Sequence, residues 1–183
     1  MSDLISKIVQ LHDGLDRARL PHAFGGALAL AWCTQRARGT IDIDVNIFVP
    51  VERIGDVMTA LPNAVDATSR DLERFKKEGQ IRLWWEKTPL DLFLNTTDFH
   101  EELLVRVRHE QFAGTEIPFL SCFDLAVFKA FFDRTKDWAD LEAMQTAGTL
   151  DIDRVAATLI EYLGATDEQL ERLRALRRFS VER

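Results

Sequence analysis

Two aspartates separated by one residue are the first feature of the sequence that suggests chemistry. Asp42 and Asp44 lie in the segment 41–49, whose alternation and β-branched residues predict a strand. Residues two apart on a strand share a face, so we expect the two carboxylates to project side by side and Ile41 to point with its apolar neighbours into a core. Parallel carboxylates repel each other unless a cation lies between them. Such oxygen ligands suit a hard divalent cation, above all Mg²⁺.

A third aspartate, Asp91, lies in a second predicted strand, segment 90–94. We expect this strand to form an antiparallel hairpin with segment 80–86, joined by the turn Lys87-Thr88-Pro89. An unpaired carboxylate is costly to bury, so Asp91 needs either a cation or an open sheet edge facing water. If its strand adjoins the first one, three carboxylates converge as in a two-metal site. One metal would then bind a triphosphate, and the other would activate a hydroxyl nucleophile, with Asp91 helping to accept its proton.

A glycine pair precedes the aspartates and suggests a phosphate-binding turn. Phe24-Gly25-Gly26 follows a predicted short strand, and a helix is expected to begin at Ala27. Glycine lets the backbone approach a ligand closely, and a helix N-terminus attracts anions. A simple tight turn is the alternative interpretation of the same residues.

These residues together resemble the nucleotidyltransferase superfamily typified by polymerase beta: Phe24-Gly25-Gly26, then Asp42-Ile43-Asp44, then Asp91. Segments 25–30 and 38–44 are more specific, and so is Phe128-Lys129-Ala130 followed by segment 134–141. They resemble the toxin-type nucleotidyltransferases of abortive-infection systems (AbiEii-like). The aminoglycoside and lincosamide nucleotidyltransferases are similar but more distant. The resemblance covers roughly residues 20–145.

The resemblance implies a site as well as a fold. Catalysis and metal binding, by Mg²⁺ with Mn²⁺ as a substitute, would fall to Asp42, Asp44 and Asp91. Nucleotide binding would involve Gly25, Gly26, Arg38, Thr40, Lys129 and Asp137. The residues alone support part of this, since Lys129 is the only cation on a Phe-rich helix and its long stem suits phosphate. A lysine that snorkels to the surface, followed by a helix start with dipole-matched acids, is the alternative.

The element pattern predicts an α/β (α+β) protein with a small mixed sheet flanked by helices and a helical C-terminal region. We expect a nucleotidyltransferase core at residues 1–120 and a helical region packed on it at 121–183, with Ser121 capping its first helix. Segment 117–120 contains Pro118 and is therefore expected to be an edge strand. Alternation requires one of Trp84 and Trp85 to face the core, so packing is favoured over stacking on a base.

Composition excludes some classes of protein. A net charge of -7 and a pI near 5.1 argue against a dedicated nucleic-acid-binding module. Cys33 and Cys122 show no metal-ligand spacing, so we expect buried thiols and a reducing compartment. The N-terminus opens into an amphipathic helix without a signal-peptide pattern, and no apolar run reaches membrane-spanning length. We expect a cytoplasmic protein.

The predicted function is Mg²⁺-dependent transfer of a nucleoside monophosphate from a nucleoside triphosphate to an acceptor hydroxyl, with release of pyrophosphate. The resemblance favours a toxin-like enzyme whose acceptor is tRNA or a protein side chain, with an antitoxin as a partner. Two alternatives stay open. One is a resistance-type enzyme acting on a small polyhydroxylated drug, and the other is a non-catalytic member of the fold that binds a nucleotide or a partner protein.

Overall fold

A mixed β-sheet is the central element of the computed structural model, which describes residues 2–37 and 39–179. Its strands are β1 (His22–Phe24), β2 (Ile43–Pro50), β3 (Val65–Asp66), β4 (Gln80–Trp85), β5 (Thr88–Asn95), β6 (Arg108–Phe112) and β7 (Thr115–Phe119). They lie in the order β3-β4-β5-β2-β1-β7-β6. β2 runs parallel to β5 and antiparallel to β1, and β4 and β5 form the predicted antiparallel hairpin. The predicted mixed α/β architecture is confirmed.

Nine α-helices in the described part of the chain precede, separate and follow these strands in sequence. They are α1 (Ser2–Arg17), α2 (Gly26–Thr34), α3 (Ile54–Ala60), α4 (Ser69–Glu78), α5 (Asp98–Leu103), α6 (Cys122–Phe132), α7 (Thr135–Thr146), α8 (Ile152–Leu163) and α9 (Glu168–Ala175). Side chains cap several of them: Ser121 accepts a hydrogen bond from the Asp124 N–H at the start of α6, as predicted. Among the helices described, none has the length and apolar character needed to cross a membrane.

The chain divides into two compact units. The first comprises Met1–Leu28 and Gly39–Leu120 and contains the sheet with α1, α3, α4 and α5. The second comprises Ala29–Arg38 and Ser121–Arg183 and contains α6 to α9. The division falls within α2, whose first residues belong to the first unit.

Buried alternate residues of the central strands form the core of the first unit. On β2 these are Ile43, Val45 and Ile47, and on β5 they are Leu90, Leu92 and Leu94, all at most 1% exposed. Because side chains alternate along a strand, the residues between them point to the opposite face. The core therefore fixes which face of the sheet carries Asp44 and Asp91.

Two strand predictions were wrong in detail. Ile41 does not enter the core: it lies before β2, which begins at Ile43, and it is 78% exposed. Pro118 does not mark an edge strand, because β7 lies between β1 and β6. Its neighbour Phe119 makes the register pair with Phe24 of β1, so the proline is accommodated inside a sheet. After β2, residues Val51–Arg53 form a 3₁₀ turn, and α3 starts at Ile54.

The expectation of two isolated, buried thiols was also wrong. Cys33 near the end of α2 and Cys122 at the start of α6 form a disulfide across 89 residues of sequence. Both cysteines belong to the second unit. Sequence spacing alone could not reveal this pairing, because the two residues are brought together by the packing of helices. The argument for a reducing compartment consequently loses this support.

A pair of histidines joins α1 to β1 in the first unit. His22 is 5% exposed, and its Nδ1 lies 2.8 Å from the carbonyl oxygen of Leu20. A carbonyl oxygen can only accept, so Nδ1 of His22 carries the proton and Nε2 accepts from Nδ1 of His12 at 3.0 Å. Burial is the main cause that lowers the pKa of His22 to about 4.

Candidate active site

Asp44 and Asp91 lie side by side on the face of the sheet opposite the buried residues Ile43, Val45, Leu90 and Leu92. They are direct register partners across the parallel β2–β5 ladder. β5 lies inside the sheet between β4 and β2, so the alternative of an edge-strand Asp91 facing water was wrong. The side chain of Asp91 is only 15% exposed. The structure therefore brings together two of the three predicted carboxylates through strand pairing itself.

The third carboxylate, Asp42, is held by the loop that precedes β2. The Thr40 hydroxyl donates a hydrogen bond to Oδ1 of Asp42, and the Asp42 N–H lies 3.3 Å from the same hydroxyl. Thr40 therefore orients a carboxylate, while its predicted contact with a nucleotide stays a prediction. Arg38, predicted to bind nucleotide from the same loop, lies outside the described residues.

Arg82 is the residue of this site that sequence reasoning missed. Its Nε lies 2.7 Å from Oδ1 of Asp91 and its Nη2 lies 2.5 Å from Oδ2, a bidentate ion pair. The same Nη2 is 3.9 Å from Oδ2 of Asp42. Hydrogen bonding to Asp91, reinforced by Asp42 and Asp44, raises the pKa of Arg82. The cation that Asp91 needs is thus supplied by the neighbouring strand.

The hairpin turn explains why Arg82 faces Asp91. Glu86, with a positive φ of 57°, and Lys87 form a two-residue connection, so Trp85 pairs with Thr88 and Arg82 pairs with Asp91. Lys7 of α1 fixes this turn, since its ammonium donates to the Trp85 carbonyl at 3.2 Å and to Glu86 at 2.9 Å. A turn at Lys87-Thr88-Pro89, as predicted from the sequence, would give a different strand register in which Arg82 does not pair with Asp91.

Gly26 packs directly against the carboxylate of Asp44. Its φ is +52°, and a Cβ at this position would lie 1.9 Å from Oδ2 of Asp44. Only glycine fits both conditions. The N–H of Gly25 donates to the Asp44 carbonyl at 2.9 Å, so that donor already serves the sheet. The Gly26 backbone and the following turn of α2 are the phosphate-facing candidates in this segment.

The three aspartates supply oxygen donors of the kind that a divalent cation needs. In the part of the chain that the structure describes, no three His, Cys, Asp or Glu side chains form a ready metal site. Asp42, Asp44 and Asp91 nevertheless offer the oxygen ligands that Mg²⁺ prefers, and Asp44 lies in a cradle that a Cβ on Gly26 would fill. Both oxygens of Asp91 bind Arg82, so a metal at Asp91 would have to share these oxygens with the guanidinium or displace it.

Lys129 and Asp137 belong to the second unit, where they form a buried ion-pair network with Asp140. The ammonium of Lys129 lies 2.6 Å from Oδ2 of Asp140 and 3.6 Å from Oδ1 of Asp137. Arg134 also binds Asp137, at 2.6 Å. Lys129 is 7% exposed, so the alternative of a snorkelling lysine was wrong. Its contact with phosphate, and that of Asp137, stay predictions.

Comparison with known proteins bears on the fold. No protein-family model matches the sequence, and no curated protein shows significant similarity to it. The solution structure of the antibiotic-resistance factor ANT(2'')-Ia is similar, with a TM-score of 0.57 and 17% identity over 97% of this chain and 92% of that one. The chain has the nucleotidyltransferase fold.

Two further solved structures are similar to this chain. A crystal structure of ANT(2'')-Ia with adenylyl-2''-tobramycin gives a TM-score of 0.56 at 15% identity, covering 96% of this chain and 98% of that one. An antigenic nucleotidyltransferase-like protein from Paracoccidioides brasiliensis gives 0.54 at 15% identity, covering 93% of each chain. At these identities the likeness establishes the fold, and function must be argued from the site.

Proposed function

We propose that the protein is a nucleotidyltransferase that moves a nucleoside monophosphate from a nucleoside triphosphate to an acceptor hydroxyl and releases pyrophosphate. The observation that carries this proposal is the register pairing of Asp44 with Asp91 on parallel strands, with Asp42 near the same guanidinium. Carboxylate oxygens gathered on one face of a sheet are the ligands that Mg²⁺ prefers. The fold and the glycine cradle at Gly26 support the same activity.

Each residue has a proposed role in the reaction. Asp42, Asp44 and Asp91 would hold Mg²⁺, or Mn²⁺ in its place, and the bound metal would polarise phosphate oxygens and acidify the acceptor hydroxyl. Asp91, once Arg82 releases it, is positioned to accept the hydroxyl proton. The backbone at Gly26 would hold phosphate oxygens.

The acceptor that we propose is a toxin-type one, tRNA or a protein side chain, with an antitoxin as the regulatory partner. Support comes from the sequence resemblance around the glycine pair, the aspartates and Lys129. A small-molecule acceptor is the second candidate, because the similar structure of ANT(2'')-Ia is a complex with adenylyl-2''-tobramycin. A non-catalytic nucleotide- or partner-binding role is the third.

The proposed compartment is the cytoplasm, which supplies nucleoside triphosphates. Disulfides are rare there, so the pairing of Cys33 with Cys122 stands against this placement. To test the point, cells are quenched with acid, the protein is denatured in the presence of an alkylating agent, and its mass is measured without reduction. Two blocked thiols would agree with a reducing compartment, and two unmodified cysteines would contradict it.

A transfer assay tests the activity and sorts the acceptors. Purified protein is incubated with labelled nucleoside triphosphates and Mg²⁺, together with total tRNA in one reaction and an aminoglycoside in another. Label on tRNA supports the toxin type, label on the drug supports the second candidate, and label on the protein indicates modification of a side chain. No transfer to any acceptor, with an intact fold, would favour the non-catalytic role.

Variants connect any activity to the site. Asp44→Asn should reduce transfer by about two orders of magnitude or more, a scale typical for loss of one charge-stabilising group. The matched control is Asp98→Asn, an exposed aspartate at the start of α5, which should retain the wild-type rate. Unchanged transfer in Asp44→Asn would remove the carboxylates from the mechanism.

A further inference from the structure

Trp84 is a large aromatic side chain on the face of the sheet that carries Arg82 and Asp91. Exposure alternates strictly along β4, so Trp85 is 4% exposed in the core and Trp84 is 50% exposed. The sequence expectation of packing therefore holds for Trp85 alone. A half-exposed tryptophan on a regular strand leaves a flat apolar ring in contact with water, where a ligand can cover it.

The register places Trp84 beside the carboxylates. Arg82 pairs with Asp91, Trp84 pairs with Pro89, and Asp91 pairs in turn with Asp44. Trp84 is thus one strand across and two residues along from Asp91, on the same face. Diagonal neighbours of this kind have Cα atoms about 7–8 Å apart, within reach of an aromatic side chain.

We infer that Trp84 is a stacking platform for the terminal nucleobase of a single-stranded RNA acceptor, whose 3′ hydroxyl then lies at the carboxylates. The inference rests on the proposed transfer function and names the acceptor class for the same site. Only one ribose separates a nucleobase from its 3′ hydroxyl, which suits the diagonal spacing between Trp84 and Asp91. Every base offers a π-face to an indole, so the platform is tolerant of sequence.

A nucleobase fits this position better than a saturated drug ring. A nucleobase covers an indole with a flat π-face, whereas the amino sugars of an aminoglycoside contact it only through C–H and ammonium groups. The charges around Trp84 are mixed, because Arg82 lies two residues before it on β4 and Asp66 of β3 is its register partner, so ring shape and not charge favours the nucleobase. The acidic pI is no obstacle, because one stacked base requires no broad basic surface.

Kinetics of transfer to a short oligoribonucleotide with a free 3′ end test the platform. Trp84→Ala should raise the KM for this acceptor by about 5- to 150-fold, the range for loss of one stacked base. The KM for the nucleoside triphosphate should stay unchanged. Trp84→Phe keeps an aromatic ring and should remain within about threefold of wild type. Val105→Ala, at a position 85% exposed elsewhere in the first unit, is the control and should match wild type.

A binding measurement separates failure of the platform from failure of the proposed function. The Asp44→Asn protein is mixed with the oligoribonucleotide labelled at its 5′ end, and fluorescence anisotropy is recorded with Trp84 intact, replaced by Phe or replaced by Ala. Weaker binding for alanine alone supports the platform even if wild type transfers no nucleotide to RNA. Equal binding by all three proteins, or unchanged acceptor KM in an active Trp84→Ala enzyme, overturns it. Binding of an aminoglycoside that depends on Trp84, with no binding of the oligoribonucleotide, would also overturn it.

Discussion

Replacing Arg82 by alanine removes the guanidinium that binds both oxygens of Asp91 and lies 3.9 Å from Asp42. The ion pair is half-buried: the arginine side chain is 52% exposed and the aspartate 15%. Fully exposed pairs contribute about 0.2–1 kcal/mol, and hydrogen bonds to charged groups in protected places about 1.5–3 kcal/mol. We therefore expect a loss of about 1–2 kcal/mol in the free energy of unfolding. For a chain of 183 residues this lowers Tm by about 3–6 °C.

A double-mutant cycle isolates the pair from other effects of the substitutions. Urea unfolding of wild type, Arg82→Ala, Asp91→Asn and the double variant should give a coupling energy of about 1–2 kcal/mol without metal. The cycle for Arg74 and Glu78, an exposed pair on α4, is the control and should give about 0.3–0.5 kcal/mol. A coupling below about 0.3 kcal/mol for Arg82 and Asp91, the usual limit of additivity, would refute the ion pair.

Magnesium should affect the same variants differently if the carboxylates bind it. Arg82 and a metal ion compete for the oxygens of Asp91, so Mg²⁺ should raise the Tm of Arg82→Ala more than that of wild type. Asp91→Asn should not show this additional rise in Tm with Mg²⁺. Equal Tm shifts in all three proteins would show that Arg82 and the metal do not share a ligand.

Three other predictions concern the frame of the site. Gly26→Ala should destabilise the fold by at least about 1–2 kcal/mol, the cost of left-handed backbone for a residue with a Cβ, and should abolish transfer; Gly55→Ala, with open space for a methyl group, should do neither. The buried, neutral His22 has a pKa near 4 against 6.5 in the unfolded chain, so the unfolded state binds the extra proton and stability should fall by about 3 kcal/mol as pH drops from about 6.5 to 4. Urea titrations at both pH values should show a smaller fall for His22→Gln, and an equal fall would contradict the assignment. Reducing the Cys33–Cys122 disulfide, which closes a loop of 89 residues, should lower the free energy of unfolding by about 2–4 kcal/mol, measured with and without reductant.

Strong local signals made much of the fold predictable. Alternating apolar residues identified β2 and the β4–β5 hairpin, and the cap at Ser121 marked the start of α6. Each of these signals acts within a few residues of sequence. Tertiary arrangement was less accessible, as the interior position of β7 shows, because the neighbours of a strand depend on contacts far along the chain.

The carboxylates of the candidate site were predictable, but the cation that Asp91 contacts was not. Asp44 and Asp91 stand out because charges inside apolar strands need a reason, and Asp42 stands out because it lies two residues before Asp44. Arg82 resembles an ordinary exposed arginine until the hairpin register is known, and a turn predicted at residues 87–89 instead of 86–87 hides its partner. The disulfide was missed for a related reason, since nothing near Cys33 indicates that Cys122 will lie beside it.

The ion pair between Arg82 and Asp91 also separates the assembly of the sheet from the arrival of any metal. A cluster of bare carboxylates would depend on an external cation to fold, so its amount in the cell would follow the metal supply. Here the hairpin brings its own positive charge, and β5 can pair with β2 in a chelator-treated solution as well as in a metal-rich one. If Mg²⁺ binds these carboxylates as proposed, its loading would be an exchange of one cation for another in a finished scaffold. The exchange is open to reversal by any ligand that favours the guanidinium-bound state of Asp91.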